Sequence, residues 1–99
     1  MGVKEDYNAA FMMYERSARH GHSLAYNNLG FCYEYGIGAD IDLKRALDCY
    51  FISAEGGSPI AVYNVGQFYE EGKGPVQKDL KKAKEFFEKS AQLGVKDAK

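Results

Sequence analysis

Ala25-Tyr26-Asn27-Asn28-Leu29-Gly30-Phe31-Cys32-Tyr33-Glu34-Tyr35-Gly36-Ile37-Gly38 is followed, 36 residues further on, by Ala61-Val62-Tyr63-Asn64-Val65-Gly66-Gln67-Phe68-Tyr69-Glu70-Glu71-Gly72-Lys73-Gly74. Ala25, Leu29, Gly30, Tyr33, Gly36 and Gly38 return as Ala61, Val65, Gly66, Tyr69, Gly72 and Gly74. A second set behaves alike. Asp42, Ala46, Tyr50, Ser53, Ala54 and Gly57 occur 36 residues earlier as Asp6, Ala10, Tyr14, Ser17, Ala18 and Gly21. They recur 37 residues later as Asp79, Ala83, Phe87, Ser90, Ala91 and Gly94, one extra loop residue before Asp79 accounting for the difference. Self-similarity at a fixed period of this length is the signature of a repeat architecture.

Each unit divides into two helical stretches, A and B. A helices are predicted near 24–35 and 60–71, and B helices near 7–20, 43–55 and 80–92. The chain thus reads B, A, B, A, B: a half repeat (3–21), a repeat (22–57), a repeat (58–94) and the start of a further one (95–99), where Val95-Lys96-Asp97-Ala98 would enter another A helix. Leu43, Ala46, Leu47, Tyr50, Phe51 and Ala54 follow the spacing of one apolar helix face. Asp42 and Asp79 stand at N-cap positions, Ser58-Pro59 reads as an N-cap followed by proline at the first helical position, and Gly21, Gly57 and Gly94 stand where left-handed C-caps belong. Helices of this length are marginal alone in water and must bury an apolar stripe on a neighbour. Gly30, Gly66, Ala46, Ala54, Ala83 and Ala91 allow close approach at the A–B crossings, while Tyr33, Tyr69, Tyr50 and Phe87 fill the gaps between units. The expected fold is all-α, an α-α superhelix (solenoid) of antiparallel helix pairs with about two and a half repeats.

The 99 residues amount to one small domain, 45% hydrophobic and 27% charged with net charge −1, which argues against disorder. That balance excludes a general electrostatic attraction to nucleic acid or to an anionic membrane, since either needs an excess of Lys and Arg. No apolar run is long enough to span a bilayer, and the opening residues contain no apolar signal segment.

With these residues in place a family can be named. Ala61 to Gly66, Tyr69-Glu70-Glu71-Gly72-Lys73-Gly74, Asp79, Lys82-Ala83, Phe86-Phe87 and Lys89-Ser90-Ala91 resemble the Sel-1-like repeat, a relative of the tetratricopeptide repeat. The preceding unit repeats the pattern as Leu29 to Gly38, Asp42, Arg45-Ala46 and Cys49-Tyr50, with Ala39 and Asp40 in place of a valine-led loop and Cys49 in an aromatic position. The resemblance implies a right-handed superhelix that serves as a scaffold or adaptor in multi-protein complexes, binding a partner segment on a concave face lined by the A helices.

By helical spacing from Leu29, Gly30 and Tyr33, the A-helix residues expected to face a partner are Asn27, Phe31, Glu34 and Tyr35, and in the next unit Tyr63, Gln67, Glu70 and Glu71. The aromatics offer rigid contact area, and the carboxylates favour a protein or peptide partner with basic as well as apolar residues. The B helices carry interleaved charges, Lys44, Arg45, Lys81, Lys82, Lys84 and Lys89 with Asp48, Glu85 and Glu88, read as a solvated face with helix-spaced pairs such as Lys81–Glu85 and Lys84–Glu88. Arrays of this kind need polar caps, so self-association through open repeat ends is a further expectation.

Other chemistry finds little footing. Cys32 and Cys49 take the places of Phe68 and Phe86 and read as free, buried thiols, which suits a reducing compartment such as the cytoplasm. His20 and His22 flank Gly21 with no Cys or carboxylate at ligand spacing, so no metal site is read there. Gly36-Ile37-Gly38 and Gly72-Lys73-Gly74 follow helices rather than strands and recur once per unit, so they are turns and not phosphate loops. Ser17, Ser53 and Ser90 recur at one B-helix position, as packing residues do. The expectation is a non-enzymatic scaffold without cofactor. The alternatives are a structural spacer from a longer array, or a small-molecule binder or hydrolase like some cysteine-rich bacterial relatives. A titratable cluster in a closed pocket would distinguish the last.

Overall fold

The computed structural model describes residues 2–94 and contains five helices: α1 (Val3–Arg19), α2 (Ser23–Tyr35), α3 (Leu43–Glu55), α4 (Pro59–Glu71) and α5 (Leu80–Leu93). The entry to a further A helix expected at Val95–Ala98 lies outside the described residues. Helices α2 and α4 are the A helices, and α1, α3 and α5 the B helices. Each helix packs chiefly on its neighbours in the chain, α2 with α3 and α4 with α5 most closely. The molecule measures 43 × 24 × 21 Å, an elongated shape in keeping with translational repetition.

The caps act where the spacing placed them. The Asp42 carboxylate accepts from the Arg45 N–H at 3.0 Å, Asp79 accepts from the Lys82 N–H at 3.0 Å, and the Ser58 hydroxyl accepts from the Ala61 N–H at 3.2 Å. The first helix departs from this pattern. It starts at Val3, a turn before the expected Tyr7, so Asp6 lies inside the first turn and caps nothing. In the later units the Asp42 N–H donates to the Tyr33 carbonyl and the Asp79 N–H to the Tyr69 carbonyl, both at 2.9 Å, and this tie to the preceding A helix halts the chain before each B helix. No described A helix precedes α1, and Val3-Lys4-Glu5 continue the helix instead.

The two A–B crossings are built alike. A Cβ placed on Gly30 would stand 2.8 Å from a Tyr50 ring carbon, and one on Gly66 would stand 2.8 Å from a Phe87 ring carbon. Glycine there allows each aromatic ring to approach the A helix closely. Gly74 has φ +62° and a Cβ on it would meet that of Leu43 at 2.8 Å, so the loop after α4 wedges against the preceding B helix. Gly38 does the same against Tyr7 and Phe11 of α1. The extra residue of the second loop falls between Gly74 and Asp79 and leaves both the wedge and the cap intact.

Two apolar clusters form the core. Ala46, Leu47, Tyr50, Val65 and Phe68 bind α3 to α4, and Ala18, Ala25, Leu29 and Cys49 bind α1, α2 and α3. Tyr33 packs against both. Tyr50 spans two units as expected, covering Gly30 and meeting Phe68 edge-on at 5.8 Å between centroids. Phe87 lies against Gly66 and Tyr63 of its own unit. Ser53 and Ser90 are fully buried. The Ser90 hydroxyl donates to the Pro59 carbonyl at 2.7 Å and latches α5 to the start of α4, whereas the Ser53 hydroxyl meets no protein acceptor.

The surface ion pairs differ from expectation. Lys44–Asp48 (3.3 Å), Arg45–Asp42 (3.4 Å) and Arg19–Glu15 (3.5 Å) form, but Lys81–Glu85 and Lys84–Glu88 are not among the ion pairs of the described residues. Exposed pairs of this spacing gain little in water, so helix spacing alone does not fix which of them close.

Candidate functional site

An A helix that buries Leu29, Gly30 and Cys32 against its neighbours turns another stripe outward. On α2 that stripe is Leu24, Asn28, Phe31 and Tyr35, one residue every three or four positions. Phe31 and Tyr35 are 49% and 54% exposed, and their rings meet at a tilt of 49° with centroids 4.6 Å apart. The Lys73 ammonium stands 5.4 Å from the Tyr35 ring centre. On α4 the equivalent stripe is Ile60, Asn64, Gln67 and Glu71, with Ile60 and Glu71 exposed and the two amides half-buried.

Of the eight residues expected here, Phe31, Tyr35 and Glu71 are exposed and Gln67 is half-buried on the same face. Asn27 reaches the neighbouring unit: its side-chain oxygen accepts from the Asn64 amide at 2.9 Å, joining α2 to α4. Tyr63 is half-buried with its ring 5.1 Å from that of Phe87. Glu70 is half-buried and lines a crevice with Leu80, Ala83, Lys84 and Phe87.

Glu34 requires a correction. It was expected to point neither at a B helix nor at the neighbouring unit, and it does both. Its carboxylate accepts from the Tyr50 hydroxyl of α3 at 2.6 Å and pairs with Lys73 from the loop after α4. Only 10% of the Glu34 side chain is exposed. The reason is desolvation: a carboxylate held this deep needs a donor and a counter-charge, and two other elements supply them.

Leu24 and Ile60, 67% and 57% exposed, were missed. They are 36 residues apart, so the recurrence of an aliphatic residue in the first turn of each A helix was visible. Lys73 was missed as well, because its loop reads as a turn and the equivalent position holds Ile37.

The titratable groups are set for structure. Burial, reinforced by its bond to Glu34, drives the Tyr50 hydroxyl far above the ordinary tyrosine value, so it stays a donor. Burial lowers the Lys73 ammonium, but the Glu34 carboxylate outweighs it and the net shift is upward. Burial pushes the Cys32 thiol up, and burial with Asp48 nearby takes Cys49 to about 11. Both cysteines are buried as free thiols, which are poor nucleophiles in that protonation state. Among the described residues no group of three or more His, Cys, Asp or Glu side chains is placed to hold a metal ion.

Comparison with known proteins places this arrangement. The model of the Sel1 repeat matches residues 1–22, 23–58 and 59–95. A sel1-like repeat-containing protein of Acanthamoeba polyphaga mimivirus is 39% identical over 80 residues, covering 81% of this chain and 14% of that protein. HRD3B of Arabidopsis thaliana, an ERAD-associated E3 ubiquitin-protein ligase component, is 30% identical over 89 residues, covering 90% of this chain and 15% of its own length. The crystal structure of a Sel1 repeat protein from Oxalobacter formigenes superimposes with a TM-score of 0.88 at 30% identity, over 98% of this chain and 39% of that one. The chain therefore spans about one-seventh of the length of these two sequence relatives.

Proposed function

Because this chain belongs to the Sel1 repeat family, we propose that it is a protein-interaction module that holds a segment of another protein along the concave face formed by α2 and α4. The single observation that carries this reading is the Phe31–Tyr35 pair: two large rings, in tilted contact with each other and about half exposed, on a helix whose other faces are covered. Rigid aromatic area of this kind is what binding hot spots are made of. Leu24 and Ile60 extend the apolar strip, and Asn28 and Gln67 supply amides for a partner's backbone.

The partner this face suits is apolar first. Basic character in it rests on Glu71, since Glu34 is already neutralised by Lys73. HRD3B is by name a component of a larger ligase assembly, which supports a role in assembly for a chain of this family. A hydrolase reading draws no support from the protonated, buried thiols and the protonated Tyr50 hydroxyl.

The test is Phe31→Ala with Tyr35→Ala in affinity capture from extracts of the source cell. Both side chains lie outside the apolar clusters, so the double variant is expected to keep its thermal midpoint and to lose its partner. Retention of the partner at unchanged yield would remove this face from the binding site.

A further inference from the structure

We infer that the side formed by the B helices carries a second docking surface, between α3 and α5, for a short segment with an aromatic or aliphatic side chain flanked by carboxylates. The floor is aromatic. Tyr69 and Phe86 stack at 5.6 Å with their planes 9° apart, and Phe51 meets Phe86 edge-on at 6.3 Å. These rings open on a crevice of about 370 Å³ bordered by Lys82, Glu85 and Lys89. It adjoins a second crevice of about 350 Å³ that shares Tyr69 and Lys82 and continues to Lys78.

The charge around this floor is positive, three lysines against two carboxylates. Lys78, Lys82 and Lys89 close no ion pair among the described residues. Asp79 is engaged as the helix cap, and the remaining carboxylate at the rim is Glu85. A floor of rings under an excess of lysines is complementary to an apolar anchor between acidic residues.

Repeat packing by itself does not call for this surface. In the preceding step of the array, Glu15 stands where Phe51 does, Cys49 where Phe86 does, and Ile52 where Lys89 does. Glu88 also occupies the position of Phe51 in α5, so this place on a B helix carries a carboxylate in both other units. What recurs is the cation over the A-helix tyrosine, Arg45 on Tyr33 at 5.8 Å and Lys82 on Tyr69 at 5.3 Å. That contact, like the aromatic at Phe86, belongs to the repeat; Phe51 and Lys89 belong to this step alone.

The experiment uses a fluorescein-labelled peptide with one Phe and one Leu set among Asp and Glu residues. Its counterpart has every acidic residue replaced by Lys. Fluorescence anisotropy should show saturable binding of the acidic peptide only, weakened about tenfold or more by Lys82→Glu with Lys89→Glu, and strengthened roughly two- to threefold by Glu85→Gln. Phe51→Glu installs the residue found at this position in the other B helices, so it is expected to keep the helical circular dichroism and abolish binding. Phe31→Ala should change nothing, which separates this surface from the concave face. The inference is overturned if the acidic peptide fails to saturate, if the lysine peptide binds equally, if Phe31→Ala and not Phe51→Glu removes binding, or if phosphatidylserine vesicles bind in a Lys89-dependent way while the peptide does not.

Discussion

Removing the Glu34 carboxylate should loosen the middle repeat. Glu34 lies on α2, Tyr50 on α3 and Lys73 in the loop after α4, so one side chain ties the middle repeat to the next. Tyr50 is 0% exposed, and its hydroxyl donates to Glu34 at 2.6 Å. In Glu34→Ala that hydroxyl stays buried without its acceptor, which costs about 1–3 kcal/mol, and a hydrogen bond to a charged group worth about 1.5–3 kcal/mol is lost with it. These ranges overlap, and an expected total is about 2–4 kcal/mol. Lys73 keeps its place over the Tyr35 and Phe68 rings and has access to water, so it adds little to the loss. Tyr50→Phe removes the donor without vacating the core and should cost about 1–2 kcal/mol, leaving Glu34 paired with Lys73. Once the hydroxyl is gone, Glu34→Ala has less left to break, so the double variant should be more stable than the sum of the singles predicts by about 1–2 kcal/mol. Urea unfolding of the four proteins, followed by circular dichroism at 222 nm and extrapolated linearly, measures this coupling. Effects that add to within about 0.5 kcal/mol would refute the claim that Glu34 and Tyr50 act as one network between α2 and α3.

Three further outcomes are expected. Gly66→Ala should destabilise by about 1–3 kcal/mol although alanine is the better helix former, because the new methyl meets the Phe87 ring at 2.8 Å; thermal melts check the sign. Asp79→Ala should cost about 1 kcal/mol through loss of the cap to Lys82, whereas Asp6→Ala at the equivalent place in α1 should change stability by less than about 0.5 kcal/mol; parallel urea titrations compare them. The folded Lys73 ammonium titrates above its unfolded value, so its contribution is fully present below about pH 10.4 and is lost as pH rises through the folded value; the drop in unfolding free energy across that alkaline range should be smaller in Lys73→Met than in the parent.

The period of the chain was enough to determine the helices, their order, the caps at Asp42, Ser58 and Asp79, and the glycines at the A–B crossings. All of these follow from interactions within a few residues, or from a spacing that repeats identically in each unit. Where the neighbouring element changed the outcome, the sequence was silent. Asp6 repeats Asp42 in position yet caps nothing, because the tie to a preceding A helix that positions Asp42 has no described counterpart for α1. Helical spacing likewise turned Asn27 and Glu34 outward. Only the stacked structure shows them engaged by Asn64, Tyr50 and Lys73, which lie 37, 16 and 39 residues away in the chain. A buried polar side chain is directed by the donors that the fold brings to it, and those come from other helices and loops; the face left for a partner is what remains after such demands are met.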